Sequence, residues 1–257
     1  MSILEIKNLC KTFGKLKAVD DLCMTIEAGQ AVAFIGQNGA GKSTTMRTIA
    51  GLSSPDSGSV RISGFDIASD PVQARQHLGY VPQELSLYRY LTGDEYLSLI
   101  AKIRGLSADD TEKQISELLN LCDLNAARNR LIREYSGGMA RKIAMAGALI
   151  GTPDLVVLDE SFVGLDPEST YKLGRYLKSY VLQGRAILIS SHVLDMLHSM
   201  CTRFFILHHG QCVADYTLDQ INEICRSPET PNLTALYLRK TGQEELIEKH
   251  GSSGNNT

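Results

Sequence analysis

Residues 36–44 read GQNGAGKST, an unbroken G-x-x-x-x-G-K-[ST] set between the apolar run Ala31–Ile35 and a stretch of helical composition over 42–50. Strand, tight loop and helix in that order are what this string needs to cradle phosphates. Gly36, Gly39 and Gly41 let the backbone turn sharply, so that consecutive N–H groups from Gly36 through Asn38, Ala40 and Thr44 can face an anion. The helix that follows presents the positive end of its dipole to the same point. The Lys42 ammonium can reach terminal phosphates, and the Ser43 hydroxyl is a hard oxygen ligand suited to Mg²⁺. A strand as uniformly apolar as AVAFI must be covered on both faces, as strands of a parallel sheet are.

The rest of the chain divides around that loop. Short apolar–polar alternations over 2–35 (Ile3, Leu4, Ile6; Leu22, Met24, Ile26), broken at Phe13-Gly14 and Ala28-Gly29, predict a group of strands. From 91 to 150 the period becomes helical: Tyr96, Leu97, Leu99, Ile100 and Ile103, then Ile115, Leu118, Leu119 and Leu121. Apolar runs return at 155–158, 186–189 and 204–207 with helical sequence between them, which is the alternation of an α/β core. The tail 251–257, GSSGNNT, has no apolar residue and is expected to be disordered.

Composition narrows the function. A formal net charge of −3 gives no general attraction to nucleic acid. Six scattered cysteines without a CxxC pair predict reduced thiols. The apolar runs are far too short to span a bilayer, so work at a membrane would need a partner. The strand LVVLDE, 155–160, ends in two acids at the edge where ligands bind in a parallel sheet. Asp159 is suited to holding Mg²⁺ and Glu160 to orienting or deprotonating a water, unless the pair merely caps a helix.

Tyr135-Ser136-Gly137-Gly138-Met139, between the phosphate loop and the acid pair, resembles the LSGGQ signature of ATP-binding-cassette (ABC) proteins. Ser, two glycines and a helix start make a donor-rich nest for an anion, or an ordinary Ser helix cap. Other positions fall in the family's order. Phe13 is similar to the aromatic residue that stacks on adenine, although a core aromatic on an early strand is an equal reading. Gln83, in YVPQE, resembles the glutamine that touches Mg²⁺ or the attacking water. Gly164-Leu165-Asp166 resembles the loop linking two active sites, and Asp166-Pro167-Glu168 is also a simple cap. His192 resembles the histidine that senses the γ-phosphate. Met139, Tyr135 and Ser161 depart from the usual Gln, Leu and Pro of that pattern, and none removes a phosphate donor or a carboxylate.

The resemblance covers roughly residues 2–215 and implies an α/β P-loop NTPase fold of the ABC cassette type. It has a parallel-sheet core, an N-terminal antiparallel β subdomain and a helical insert at about 84–150 within a domain spanning 1–215, and a helical extension over 216–250. It implies an ATPase with ATP and Mg²⁺ as cofactors. Lys42, Gln83, Glu160 and His192 would be catalytic; Ser43, Gln83 and Asp159 would hold the metal. Phe13, the loop from Gly36 to Thr44, Ser136, Gly138 and Asp166 would contact nucleotide, with Ser136 and Gly138 acting across a homodimer or heterodimer of ATPase subunits. A separate transmembrane permease would dock at Tyr88, Tyr90 and Leu91, placing the chain at the cytoplasmic face of the membrane. Similarity over 233–242 points to bacterial exporters with separate membrane subunits. The alternative is a soluble ABC-type ATPase acting on nucleic acid or ribosomes.

Overall fold

The computed structural model describes residues 2–227, 230–243 and 245. Strands β1 (Ser2–Phe13) and β2 (Leu16–Glu27) pair antiparallel, and β3 (Ala31–Ile35) then leaves for a second sheet. After α1 (Lys42–Ile49), the chain returns through β4 (Ser57–Ile62) and β5 (Phe65–Asp66) to complete a four-stranded antiparallel sheet ordered β2-β1-β4-β5. Then come α2 (Pro71–Gln76), β6 (Leu78–Val81) and three helices, α3 (Gly93–Ile103), α4 (Ala108–Leu121) and α5 (Gly137–Leu149). Core strands β7 (Leu155–Asp159), β8 (Ala186–Ser190) and β9 (Arg203–His208) are separated by α6 (Pro167–Leu182) and α7 (Leu194–Met200). The end of the described chain holds β10 (Gln211–Thr217), α8 (Leu218–Ile224) and α9 (Leu233–Lys240).

The second sheet runs β10-β9-β3-β8-β7-β6, parallel from β9 to β6, with only β10 antiparallel. Its fully buried strands divide their side chains by the period-two rule. Ala31, Ala33 and Ile35 face the layer built from α5, α6 and α7, while Val32 and Phe34 face the antiparallel sheet and α1. Both faces are thereby covered, which is why AVAFI and LVVLD have no polar side chain before their last residue.

Sequence and structure differ in detail. Strands β4, β5, β6 and β10 carry weak periodicity and are recognised only once the sheets pair. Asp215–Thr217 still pair with Phe205–Arg203, and the first helix after them, α8, starts at Leu218, where Thr217 forms a reciprocal cap with Gln220. Residues 251–257 lie outside the described residues. All six cysteines are free, and no helix among the described residues is long and apolar enough to cross a membrane.

Close packing of α5 onto β6 gives one stability prediction. A Cβ added at Gly79 would sit 2.0 Å from the Ala148 carbonyl oxygen and 2.9 Å from its carbon, and main chain cannot rotate away. Gly79→Ala should destabilise by roughly 3 kcal/mol and lower Tm by about 5–10 °C in thermal denaturation. An unchanged melting curve would show that the helix can shift freely.

Candidate functional site

Because β3, β8, β7 and β6 lie side by side as a run of parallel strands, their carboxyl ends open onto one edge of the sheet. The loop after β3 wraps tightly there. Gly41 has φ +104°, and a side chain on it would meet the Ala18 carbonyl at 2.3 Å, so glycine is required both by conformation and by space. Ala40 buries its methyl, donates its N–H to Gln37 O at 3.1 Å and accepts from Gly210 N at 3.1 Å. It therefore anchors the loop to the turn between β9 and β10. Lys42 is only 6% exposed and spans the loop, donating to Gly36 O at 2.5 Å and Gln37 O at 3.3 Å. Burial pushes its pKa down, and the carboxylates of Glu160 and Asp159 oppose that shift.

The acid pair sits across from this ammonium. Asp159 is 1% exposed and accepts from Ser190 Oγ at 2.6 Å, a contact fixed by the register that pairs β7 with β8 at these two residues. Glu160 takes a left-handed φ of +49°, an uncommon conformation for a residue with a side chain. Its N–H is held by Ser190 through the main-chain oxygen at 3.2 Å and Oγ at 3.1 Å. Glu160 is 4% exposed, yet neither carboxylate oxygen has a hydrogen-bond partner. His192 Nε2 approaches Oε1 at 3.3 Å without the direction a hydrogen bond needs. A buried carboxylate left this way opposes stability, so its place is explained by chemistry better than by folding. Ser161 is wholly buried and donates to Asp159 O at 3.3 Å.

Phe13, Asn38, Gly39, Gly41, Lys42, Ser43, Thr44, Gln83, Glu160 and His192 line one cavity of about 330 Å³. Phe13 stands 54% exposed at its rim with Lys11 Nζ 5.5 Å from the ring, which removes the core-aromatic reading. Gly36 lies buried at the foot of the loop and Asp159 is buried beside Glu160. Leu16, Ala18 and Gln37 also line the cavity. The first two are placed by the β1–β2 hairpin and carry no sequence signal of their own; Ser190, the partner of both acids, could be found only by knowing the strand register.

Three named residues lie apart from that cavity. Ser136 caps α5, its Oγ accepting from Met139 N at 3.2 Å, and a Cβ on Gly138 would lie 3.3 Å from Gly164 O. Asp166 caps α6, accepting from Ser169 N at 2.8 Å and Ser169 Oγ at 2.6 Å, with Lys142 Nζ at 3.6 Å. The Ser169 hydrogen bonds, with the main-chain N–H and Lys142, bring its pKa down to about 2. Tyr135, which stands before Ser136, sends its hydroxyl to Ala127 O at 2.8 Å over the side-chain-free Gly93. Among the described residues no cluster of three or more His, Cys, Asp or Glu forms a self-sufficient metal site.

The family described as ABC transporter matches residues 19–163. The chain is 34% identical over 218 residues to the daunorubicin/doxorubicin resistance ATP-binding protein DrrA of Streptomyces peucetius, covering 85% of this chain and 66% of that protein, about two thirds of the relative's length. It is 34% identical over 244 residues to the ABC-type transporter ATP-binding protein EcsA of Bacillus subtilis (strain 168), covering 95% and 98%. The solved ATP-binding subunit of an ABC transporter matches at TM-score 0.87 and 34% identity, covering 93% of this chain and 99% of that one. A dimeric bacterial ABC transporter cassette matches at TM-score 0.77 and 25% identity, covering 84% and 98%.

Proposed function

The chain belongs to the ABC transporter family as an ATP-binding subunit that hydrolyses ATP, and from that premise we propose that it powers export through a separate transmembrane permease by closing a dimer of ATPase subunits around Mg-ATP. The observation that carries the reading is the single cavity in which the phosphate loop, Phe13, Gln83, Glu160 and His192 meet.

In this reading adenine stacks on Phe13, and the amides between Gly36 and Thr44, with Lys42, hold the phosphates. Lys42 must exchange its carbonyl contacts for phosphate oxygens, a trade of weak dipoles for full charges. Ser43, Gln83 and Asp159 are hard oxygen donors fit for Mg²⁺, and the buried acids beside one ammonium leave room for added positive charge. Held there, the metal would supply positive charge against the negative charge developing on the γ-phosphoryl group. Glu160 orients or deprotonates the attacking water, neither of its oxygens being taken up by a hydrogen bond. His192, half exposed beside Glu160, senses the γ-phosphate. Ser136 and Gly138 reach the nucleotide of the partner subunit, and Gly164-Leu165-Asp166 links the two sites. Loss of the γ-phosphate that both halves grip opens the dimer. Both a homodimer and a heterodimer fit this scheme.

The relative named for drug resistance supports export, and the transporter family together with the relative named as a transporter ATP-binding protein favours this over action on nucleic acid or ribosomes. The site of work would be the cytoplasmic face of the membrane, with the helical insert carrying motion to the permease. Tyr88 and Tyr90, the latter 79% exposed with the Arg133 guanidinium 5.7 Å from its ring, are fitted to that contact, with the half-buried Leu91 beside them. The test is phosphate release from Mg-ATP by the purified chain, alone and with its copurified permease. Phe13→Ala should raise KM for ATP about fivefold, corresponding to about 1 kcal/mol of lost stacking, with kcat little changed. No hydrolysis in either preparation would refute the reading.

A further inference from the structure

Arg141 lies on α5, just beyond Ser136, and its Nη1 donates to the main-chain oxygen of Gln83 at 3.0 Å. That carbonyl belongs to the segment leaving β6, whose Gln83 side chain lines the nucleotide cavity. We propose that Arg141 is a positioning residue for ATP hydrolysis: by gripping the Gln83 main chain it holds the Gln83 side chain at the cavity and ties it to the start of α5.

Two further observations support the assignment. The guanidinium is half-buried, which lowers its pKa, and the Glu160 carboxylate opposes that shift, so the cation stands within electrostatic range of an acid whose oxygens have no hydrogen-bond partner. A guanidinium has five N–H donors in a fixed fork, more than a single carbonyl uses. The next residue, Lys142, turns to Asp166 at 3.6 Å. Neighbouring residues on a helix point about 100° apart, so this pair grips two loops, one leaving β6 and one leaving the acid strand β7. A rotation of α5 therefore moves Gln83 directly, and the helix that begins with Ser136 senses what occupies the cavity.

The inference rests on the ATPase reading of the cavity, and the experiment separates the two. Full-length Arg141→Ala, Arg141→Lys, Gln83→Ala and the Arg141→Ala/Gln83→Ala double variant are compared with wild type and with Glu160→Gln for kcat, KM for ATP and Tm. Arg141→Ala should lose about tenfold in kcat with KM changed less than about twofold, and Arg141→Lys, which keeps a charged donor, should recover to within about threefold of wild type. Because Arg141 acts through Gln83, the double variant should be no slower than Gln83→Ala alone. Should Arg141→Ala not fold, Arg141→Met keeps the aliphatic stem and carries the same comparison. Wild-type kcat in Arg141→Ala, or a double variant showing the full product of both losses, overturns the proposal. If Glu160→Gln hydrolyses at the wild-type rate, it is the cavity reading that has failed, and this inference with it.

Discussion

Glu160→Gln should slow ATP hydrolysis by about 10²–10³-fold while leaving ATP binding intact, and in Mg-ATP the variant should accumulate as a dimer. The amide has nearly the shape of the carboxylate and fits the same buried space, so the change removes the basic oxygen and the negative charge without opening a cavity. Glu160 is buried with neither oxygen hydrogen-bonded, so a neutral replacement gives up no hydrogen bond and should not weaken the fold. We expect Tm to hold or to rise, which sets this variant apart from one that is inactive through misfolding. Hydrolysis stalls at the step where water must be activated, and a dimer that opens only after the γ-phosphate leaves is then trapped closed. Single-turnover phosphate release and sedimentation in Mg-ATP read the two effects separately. Undiminished release would remove Glu160 from the mechanism, and release lost without dimer would detach hydrolysis from opening.

How far the sequence reveals this site depends on which physical rule placed each residue. The phosphate loop is legible because its rule is local: a glycine at φ +104° and a lysine just after it sit side by side in sequence and in space. The two acids at the end of β7 are legible for a similar reason, since charge at the end of an apolar run needs a purpose. Phe13 admits two readings from sequence, and the β1–β2 hairpin decides between them by putting it at the rim of the cavity, because burial is a property of the whole sheet arrangement. Ser190 and Arg141 depend on register and on helix packing, so nothing in their own neighbourhoods announces them. Nor does local sequence foretell the left-handed φ of Glu160, whose amide meets Ser190 across the sheet. The same rule explains the missed strands. Leu78–Val81 is four residues long, and in Gln211–Thr217 no residue is fully buried, so both are made by their partners. Asp166 satisfies its cap reading in full, and a role between two sites would have to coexist with the hydrogen bonds to Ser169.

The separation of Ser136 and Gly138 from the cavity leads to the second large effect. Ser136 and Gly137 are exposed, a Cβ on Gly137 would meet no atom within 4 Å, and neither Ser136 nor Gly138 lines the space around Lys42. An open helix start with a serine cap is a place for an anion, and if it serves ATP at all it must serve ATP held by another copy. A Lys42→Ala chain keeps this surface but loses its own phosphate grip; a Ser136→Glu chain keeps the grip but presents negative charge to the partner's nucleotide. Each variant alone should fall about 100-fold in hydrolysis, the scale of losing a charge contact to the reacting phosphoryl group. Mixed in equal amounts, random pairing makes half of the dimers mixed, and each of these has one complete site: the loop of the Ser136→Glu chain facing the signature of the Lys42→Ala chain. Activity should therefore return to roughly one quarter of wild type, a recovery that only a two-fold closed dimer with shared sites can give. A mixture no faster than its components would place Ser136 outside the reaction, confine it to a role within its own chain, or make the partner a different subunit.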